Sequence, residues 1–299
     1  MNILITGASG LIGSAILQDL VNTGHRVFSL QRNKSANPDQ FWNFTRLCEL
    51  GGENPTFDVV IHLAGENIAT GRWTKNKKQR ILQSRTQGTE QLAHYCAQLS
   101  TPPKLFISAS AIGYYGDRGD DVVDEQSKSG HNFVAEVCRA WEAALAPLEK
   151  TVTRVVMVRI GMVLSPDGGT LKTMLPSFKL GIAGVVGNGK QYVSWIDIRD
   201  IVGSFSHIIQ HDSISGPVNL VSPNPVTNHT FTKALGDVVN KPTVMKMPAF
   251  VAKTVFGQMG EELVLSSCRV VPKKLKDEGY QFLVPELQDS LHYCVSNMP

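Results

Sequence analysis

The stretch that most restricts the fold is the N-terminal NILITGASGLIGSAILQDLVNTGHRVFSLQR, residues 2–32. Ile3-Leu4-Ile5 is an apolar run too short for a helix and reads as a buried strand. Gly7, Gly10 and Gly13 follow, and then apolar residues at helical spacing: Leu11, Ile12, Ile16, Leu17 and Leu20. Gly24 is a helix stop, and RVFSL is a second strand. A strand, a glycine turn, a helix and a strand make the unit that holds a dinucleotide. Glycine lets the backbone approach a pyrophosphate, and the helix N-terminus offers amide hydrogens and partial positive charge. Gly7, Ala8, Ser9, Gly10, Leu11, Ile12 and Gly13 are therefore the expected pyrophosphate cradle. Its position between a strand and a helix is what makes three spaced glycines informative.

The end of the second strand bears on which dinucleotide binds. A carboxylate about twenty residues past the glycines would hold a free ribose 2′-hydroxyl. Here the chain reads Gln31-Arg32-Asn33-Lys34, with no carboxylate before Asp39. A guanidinium has the permanent charge and forked donors to hold a 2′-phosphate. Gln31 and Arg32 thus favour NADP(H) over NAD.

The TGASGLIG turn resembles that of the extended short-chain dehydrogenases/reductases, within the NAD-dependent epimerase/dehydratase superfamily. HLAGENI (62–68), SASAIGYYGD (108–117), VRIGMVLSPDGG (158–169), GNGKQYVSWIDIRD (187–200) and GPVNLVSPNPV (216–226) resemble its epimerase-family, NADP-dependent oxidoreductase branch. The likeness spans the chain to about residue 295. It implies that Leu63, Ala64 and Gly65 pass close to the cofactor, and that Arg85, Ser108, Ile160 and Gly161 also reach it. It further implies that Ser110 hydrogen-bonds a substrate oxygen.

Further strands are read in FDVVIHLAG, KLFISAS and VTRVVMVRIGMVL, alternating with helical patterns such as 75–99. Strands and helices in alternation give an α/β fold, a Rossmann-type doubly wound parallel sheet with ligands at its carboxyl edge. Ser108, Ser110, Tyr114, Tyr115, Arg159 and Gly161 follow strand ends and should converge on one crevice. Beyond residue 161 glycines and prolines break the rhythm. This divides the chain into a dinucleotide domain, 1–161 plus 197–221, and a smaller, C-terminal substrate-side lobe, 162–196 plus 222–299. Asp197 reads as a helix cap and Asp200 as an orienting group. The basic run TKNKKQR (74–80) has no interleaved aromatics and reads as a solvated helix face.

In the resembled superfamily a tyrosine and a lysine sit four residues apart on one helix, often with a glutamate four residues later. Aligning that glutamate with Glu142 puts Val134 and Cys138 at those positions. Neither can hold a proton for catalysis or a positive charge. Only about one unassisted tyrosine in a thousand is ionised at neutral pH, so either another group substitutes, or the chemistry is slow, or there is none; Tyr114, Tyr115 and His131 are the substitutes within reach. Ser110, Tyr114 and Tyr115 form the expected catalytic set. Of the two tyrosines one packs in the core and one faces the cleft, in an order the sequence leaves open. His131 reads as a surface helix cap. No lobe residue identifies the substrate beyond a small molecule.

Composition narrows the function classes. A net charge of +3 gives no reason to expect a nucleic-acid partner or a membrane surface. No apolar run approaches the roughly 18 residues of a spanning helix, and Met1-Asn2 leads directly into a strand. Five scattered cysteines without a Cys-x-x-Cys pair point to a reducing compartment, the cytoplasm, with no metal site. Two readings stay open: an NADP(H)-dependent oxidoreductase or epimerase-like enzyme, and a non-catalytic NADP(H)-binding sensor. Oligomeric state is not legible.

Overall fold

The computed structural model describes residues 1–30 and 56–298. Gln31 and Arg32 lie outside the described residues. Six parallel strands form the central sheet: β1 Asn2–Thr6, β2 Arg26–Leu30, β3 Val59–His62, β4 Leu105–Ala111, β5 Arg154–Ile160 and β6 Gly216–Leu220. Their order is β6-β5-β4-β3-β1-β2. The first strand is therefore internal, and the winding direction reverses between β1 and β3. That reversal opens a crevice beyond the strands' carboxyl ends, where ligands of such sheets sit.

Both faces of the sheet are covered because its strands are apolar on both. Ile3 and Ile5 pack with Ile16, Ile107, Val156 and Phe205 on one face. Leu4 turns to the other, with Val60, Leu92, Phe106 and Leu148. Helix α1 (Leu11–Asn22) buries Gly13, Ile16 and Leu20, spaced three and four residues apart. It stops where Gly24, at φ +80, donates its N–H to the Val21 carbonyl at 3.0 Å. Helix α2 (Lys75–Gln98) starts at Thr74, whose hydroxyl accepts the Lys77 N–H. Helix α3 (Phe133–Ala143) is capped by Asn132, which accepts the Ala135 N–H at 3.0 Å. His131 is exposed beside that cap, which belongs to the following residue.

Helix α4 (Ile198–Gln210) begins at Asp197, which accepts the Arg199 N–H at 2.9 Å. Asp200 accepts the Tyr280 hydroxyl and the Leu283 and Val284 amides, pinning the 280–284 segment to the start of α4. A third apolar cluster, including Leu171, Phe178, Trp195, Phe231 and Leu291, packs elements from the second half of the chain. Among the described residues no helix is long and apolar enough to cross a membrane.

The basic run is a solvated face, as expected, at Thr74, Lys75, Asn76, Gln79 and Arg80, but not at Lys77 and Lys78. Lys77 is buried, its ammonium 2.8 Å from Glu66 Oε1 and 3.2 Å from Thr70 Oγ1. Lys78 lies over the Phe133 ring and donates to Gln258 Oε1 at 3.1 Å. Lys77 and Lys78 fasten the helix to the 66–70 loop and to Gln258.

Candidate dinucleotide crevice and the Ser110 cluster

At the β1 end, the chain turns under β3. Gly7 adopts φ +74, and a Cβ there would lie 2.8 Å from the Leu63 carbonyl carbon and 2.9 Å from the Ala64 nitrogen. Only glycine fits both the angle and the approach. At Gly13 a Cβ would stand 2.2 Å from the Gly7 oxygen, so glycine lets α1 press against the turn. Gly10 differs. It is exposed, its N–H is bonded to Gly7 O at 3.0 Å, and a Cβ would meet only that oxygen, at 3.3 Å.

Helix α1 starts at Gly10 with no side-chain cap and no acidic residue in its first turn. The first amides of a helix have no intrahelical partner. Uncapped, with Ser9 exposed and Leu11 and Ile12 half-buried, this end suits the pyrophosphate of a dinucleotide. Ala8 is buried beneath it.

Across the crevice, Leu63 and Ala64 are half-buried and Gly65 is exposed. A Cβ on Gly65 would lie 3.5 Å from the Arg85 guanidinium carbon. Arg85 is held by the Glu66 and Ile81 carbonyls, at 3.0 and 3.2 Å, and lies 4.9 Å from the Trp141 ring centre. The turn, the β3 end and Arg85 therefore come together.

Other expected cofactor residues sit deeper. Ser108 is buried and its hydroxyl turns to the Ala109 carbonyl. Ile160 is half-buried. Gly161 is set by packing: a Cβ would lie 2.6 Å from the Ser194 oxygen, where strand Trp195–Asp197 crosses to pair with Met162–Leu164.

Ser110 is at the end of β4, but its hydroxyl is committed. It donates to Glu142 Oε1 at 2.7 Å. Glu142 also takes Arg159 through both oxygens, Nε to Oε1 at 2.9 Å and Nη2 to Oε2 at 2.8 Å. Arg159 Nη1 donates to the Tyr115 hydroxyl at 3.0 Å, and that hydroxyl donates to Asn219 Oδ1 at 2.7 Å. Burial works against the Arg159 charge, yet the bonds to Glu142 hold its pKa above the ordinary value. Both Glu142 oxygens are thus occupied by protein donors.

This settles the two tyrosines. Tyr115 has no exposed surface, and burial pushes its phenol up to about 12. Its place in the expected catalytic set is corrected: it is a core residue tying β4, β5 and β6 together. Tyr114 is half-buried and lies face-on to the Arg159 guanidinium at 3.5 Å, edge-to-face with Tyr115.

Val134 and Cys138 are both buried and inert. Val134 packs so closely on the 112–115 turn that a Cβ on Gly113 would lie 2.3 Å from its Cγ1. Burial, and after it the Glu142 charge, raises the Cys138 thiol to about 12. Sequence reasoning used Glu142 only as a landmark and missed it as the hub of the cluster. Asn219 was missed altogether; the one available signal was a polar residue inside the apolar strand GPVNL.

The description "NAD dependent epimerase/dehydratase family" fits residues 3–220, and a domain of unknown function, DUF1731, fits residues 247–294. The chain is 39% identical to an epimerase family protein of Mycobacterium bovis, over 98% of this chain and 97% of that one. It is 33% identical to the human epimerase family protein SDR39U1, over 99% of this chain and 100% of that one. The crystal structure of human SDR39U1 (isoform 2) with NADPH superposes with a TM-score of 0.90 at 31% identity, covering 99% of this chain and 100% of that one. A Corynebacterium glutamicum nucleoside-diphosphate sugar epimerase superposes at 0.77 with 34% identity, covering 100% of this chain and 58% of that one. With its glycine turn, its sheet order and a family model matching residues 3–220, the chain belongs to the NAD dependent epimerase/dehydratase family.

Proposed function

We propose that the protein binds NADP(H) across the glycine turn and works as an oxidoreductase or epimerase-like enzyme on a small polar substrate. The observation that carries this is the uncapped end of α1 at Gly10, next to the Gly7 turn that packs against the Leu63 and Ala64 backbone. NADPH in the structure of human SDR39U1 supports the choice of dinucleotide, as does Arg32 in the sequence. Residues 162–196 and 222–299 serve as the substrate-side lobe, and the cytoplasm is the inferred compartment.

The pyrophosphate would lie on the amides of residues 10–13, with Arg85 over the ribose beside Gly65. NADP(H), when bound, donates or accepts a hydride. Ser110 then accepts a hydrogen bond from a substrate hydroxyl, because its own proton goes to Glu142. With Tyr115 buried, Tyr114 is the side chain left near the strand end to exchange a proton.

A second reading has its own support. The positions of the tyrosine–lysine couple are apolar and closed, and Ser110 serves a structural pair. A protein that senses NADP(H) without turnover fits those facts.

NADPH oxidation across a carbonyl panel, by the wild type and by Ser110→Ala and Tyr114→Phe, tests the enzyme reading. A loss of about 10²-fold in Tyr114→Phe is the expected result for a removed general acid. Tight NADPH binding without turnover in every protein favours the sensor. Calorimetry should give NADPH an advantage over NADH of about tenfold or more, roughly 1.4 kcal/mol. Equal affinities would remove the case for NADP(H).

A further inference from the structure

A small ribbon in the second half of the chain carries an apolar edge that the crevice does not use. Strand Gly184–Val186 pairs in parallel with Met245–Met247, with Met245 opposite Gly184. Because the strands run the same way, the residues leading into both stand at one end of the ribbon. They are Leu180 and Ile182 on one side and Val244 and Met245 on the other. All four are exposed, by 72%, 59%, 79% and 55%. A Cβ on Gly181 would lie 3.9 Å from Pro242 Cδ, so the two approach segments touch. Isolated apolar residues are ordinary on a surface, whereas four clustered at one edge mark a contact site.

Charge identifies the partner. The sequence has no acidic residue between Asp167 and Asp197, nor between Asp237 and Glu261, while each stretch carries three lysines. Lys179 immediately precedes Leu180, Lys241 precedes Pro242, and Lys246 follows Met245; all three are exposed. The near-neutral total of +3 conceals this local imbalance. Apolar side chains bordered by lysines match a bilayer interface with anionic headgroups, where the apolar groups enter the acyl boundary and the ammonium groups stay with the phosphates.

We propose that this edge docks the protein peripherally on anionic phospholipid membranes. The contact uses none of the residues assigned to the dinucleotide crevice. It needs no spanning segment and is weakened by salt.

Full-length protein sedimented with phosphatidylcholine vesicles, with or without phosphatidylglycerol, tests the proposal. Retention on the anionic vesicles should exceed that on neutral ones by about tenfold or more, the scale set by several lysines near a charged surface. High salt should release the protein. Ile182→Glu with Val244→Glu should cut retention by about tenfold or more with the circular dichroism spectrum unchanged. Lys179→Ala with Lys241→Ala gives the same loss without touching any apolar side chain, so the test survives a folding defect in the first pair. Absence of anionic vesicle binding overturns the proposal, as does binding that both double variants retain. A wild-type dimer in light scattering that Val244→Glu splits, without vesicle binding, assigns the edge to a second copy and also overturns it.

Discussion

The two ends of the crevice are built on opposite plans. At the glycine turn, helix α1 has no side-chain cap, and the first amides of a helix have no intrahelical partner. At Ser110, every polar group already has a partner. Serine, glutamate, arginine, tyrosine and asparagine satisfy one another in a buried chain. Unpaired donors at a surface are a binding site in waiting, because a ligand completes them at no cost in protein bonds. A completed buried network is a fixed scaffold, costly to break at any link. The first end is therefore ready for an anion, and the second holds three strands in place.

Substitution at the open end should give the largest effect. Gly10→Val puts a branched side chain into the space above α1. NADPH binding should be lost in calorimetry while the circular dichroism spectrum stays that of the folded protein. Undiminished affinity would show that the pyrophosphate lies elsewhere and would erase the contrast.

At the closed end, Arg159→Met leaves the Glu142 carboxylate buried without its cation. Removing one member of a buried pair costs about 3–5 kcal/mol, read as a lower denaturation midpoint. A loss below about 1 kcal/mol would mean that the cluster is wetter and looser than its geometry.

Acid should strain the floor of the open end. His62 lies between β1 and α2, with Nδ1 2.7 Å from Thr6 Oγ1 and Nε2 2.9 Å from Thr89 Oγ1. Full burial lowers its pKa from 6.5 to about 4. The unfolded chain therefore takes up a proton in a range where the folded one refuses it. Stability is intact above pH 6.5 and falls as pH drops from 6.5 toward 4, by about 3 kcal/mol for a shift of this size. His62→Gln should flatten that part of the stability–pH profile; an unchanged profile would clear His62 of the effect.

The smallest effects separate the neighbouring tyrosines. Tyr115→Phe leaves Asn219 and Arg159 each short of a buried partner and should cost about 1–3 kcal/mol. Tyr114→Phe removes a hydroxyl from a half-buried site and should stay within about 0.5 kcal/mol. Equal losses in chemical denaturation would contradict the division between core and cleft.

How much could be read in advance follows the same divide. The glycine turn was legible to the residue, since its strand, turn and helix are contiguous. Asp197 as a cap was legible for the same reason. The basic run at 74–80 was read as a solvated face, which holds for five of its seven residues but not for Lys77, whose ammonium pairs with Glu66 on a loop eleven residues earlier. Tyr115 was misread as a possible acid because its hydroxyl answers to Asn219, 104 residues on.

By itself the sequence determined the dinucleotide-binding unit, the alternation that builds a parallel sheet, and the absence of a tyrosine–lysine couple. These rest on backbone freedom at glycine, side-chain periodicity and residue identity, all properties of short stretches. Tertiary structure alone decided which tyrosine is buried, that the Ser110 proton belongs to Glu142, and that Glu142 is bound to Arg159. Those outcomes depend on which strand ends are neighbours. Hydrogen-bond partners are chosen by proximity in the folded sheet, where β4, β5 and β6 lie side by side despite the long stretches of chain between them.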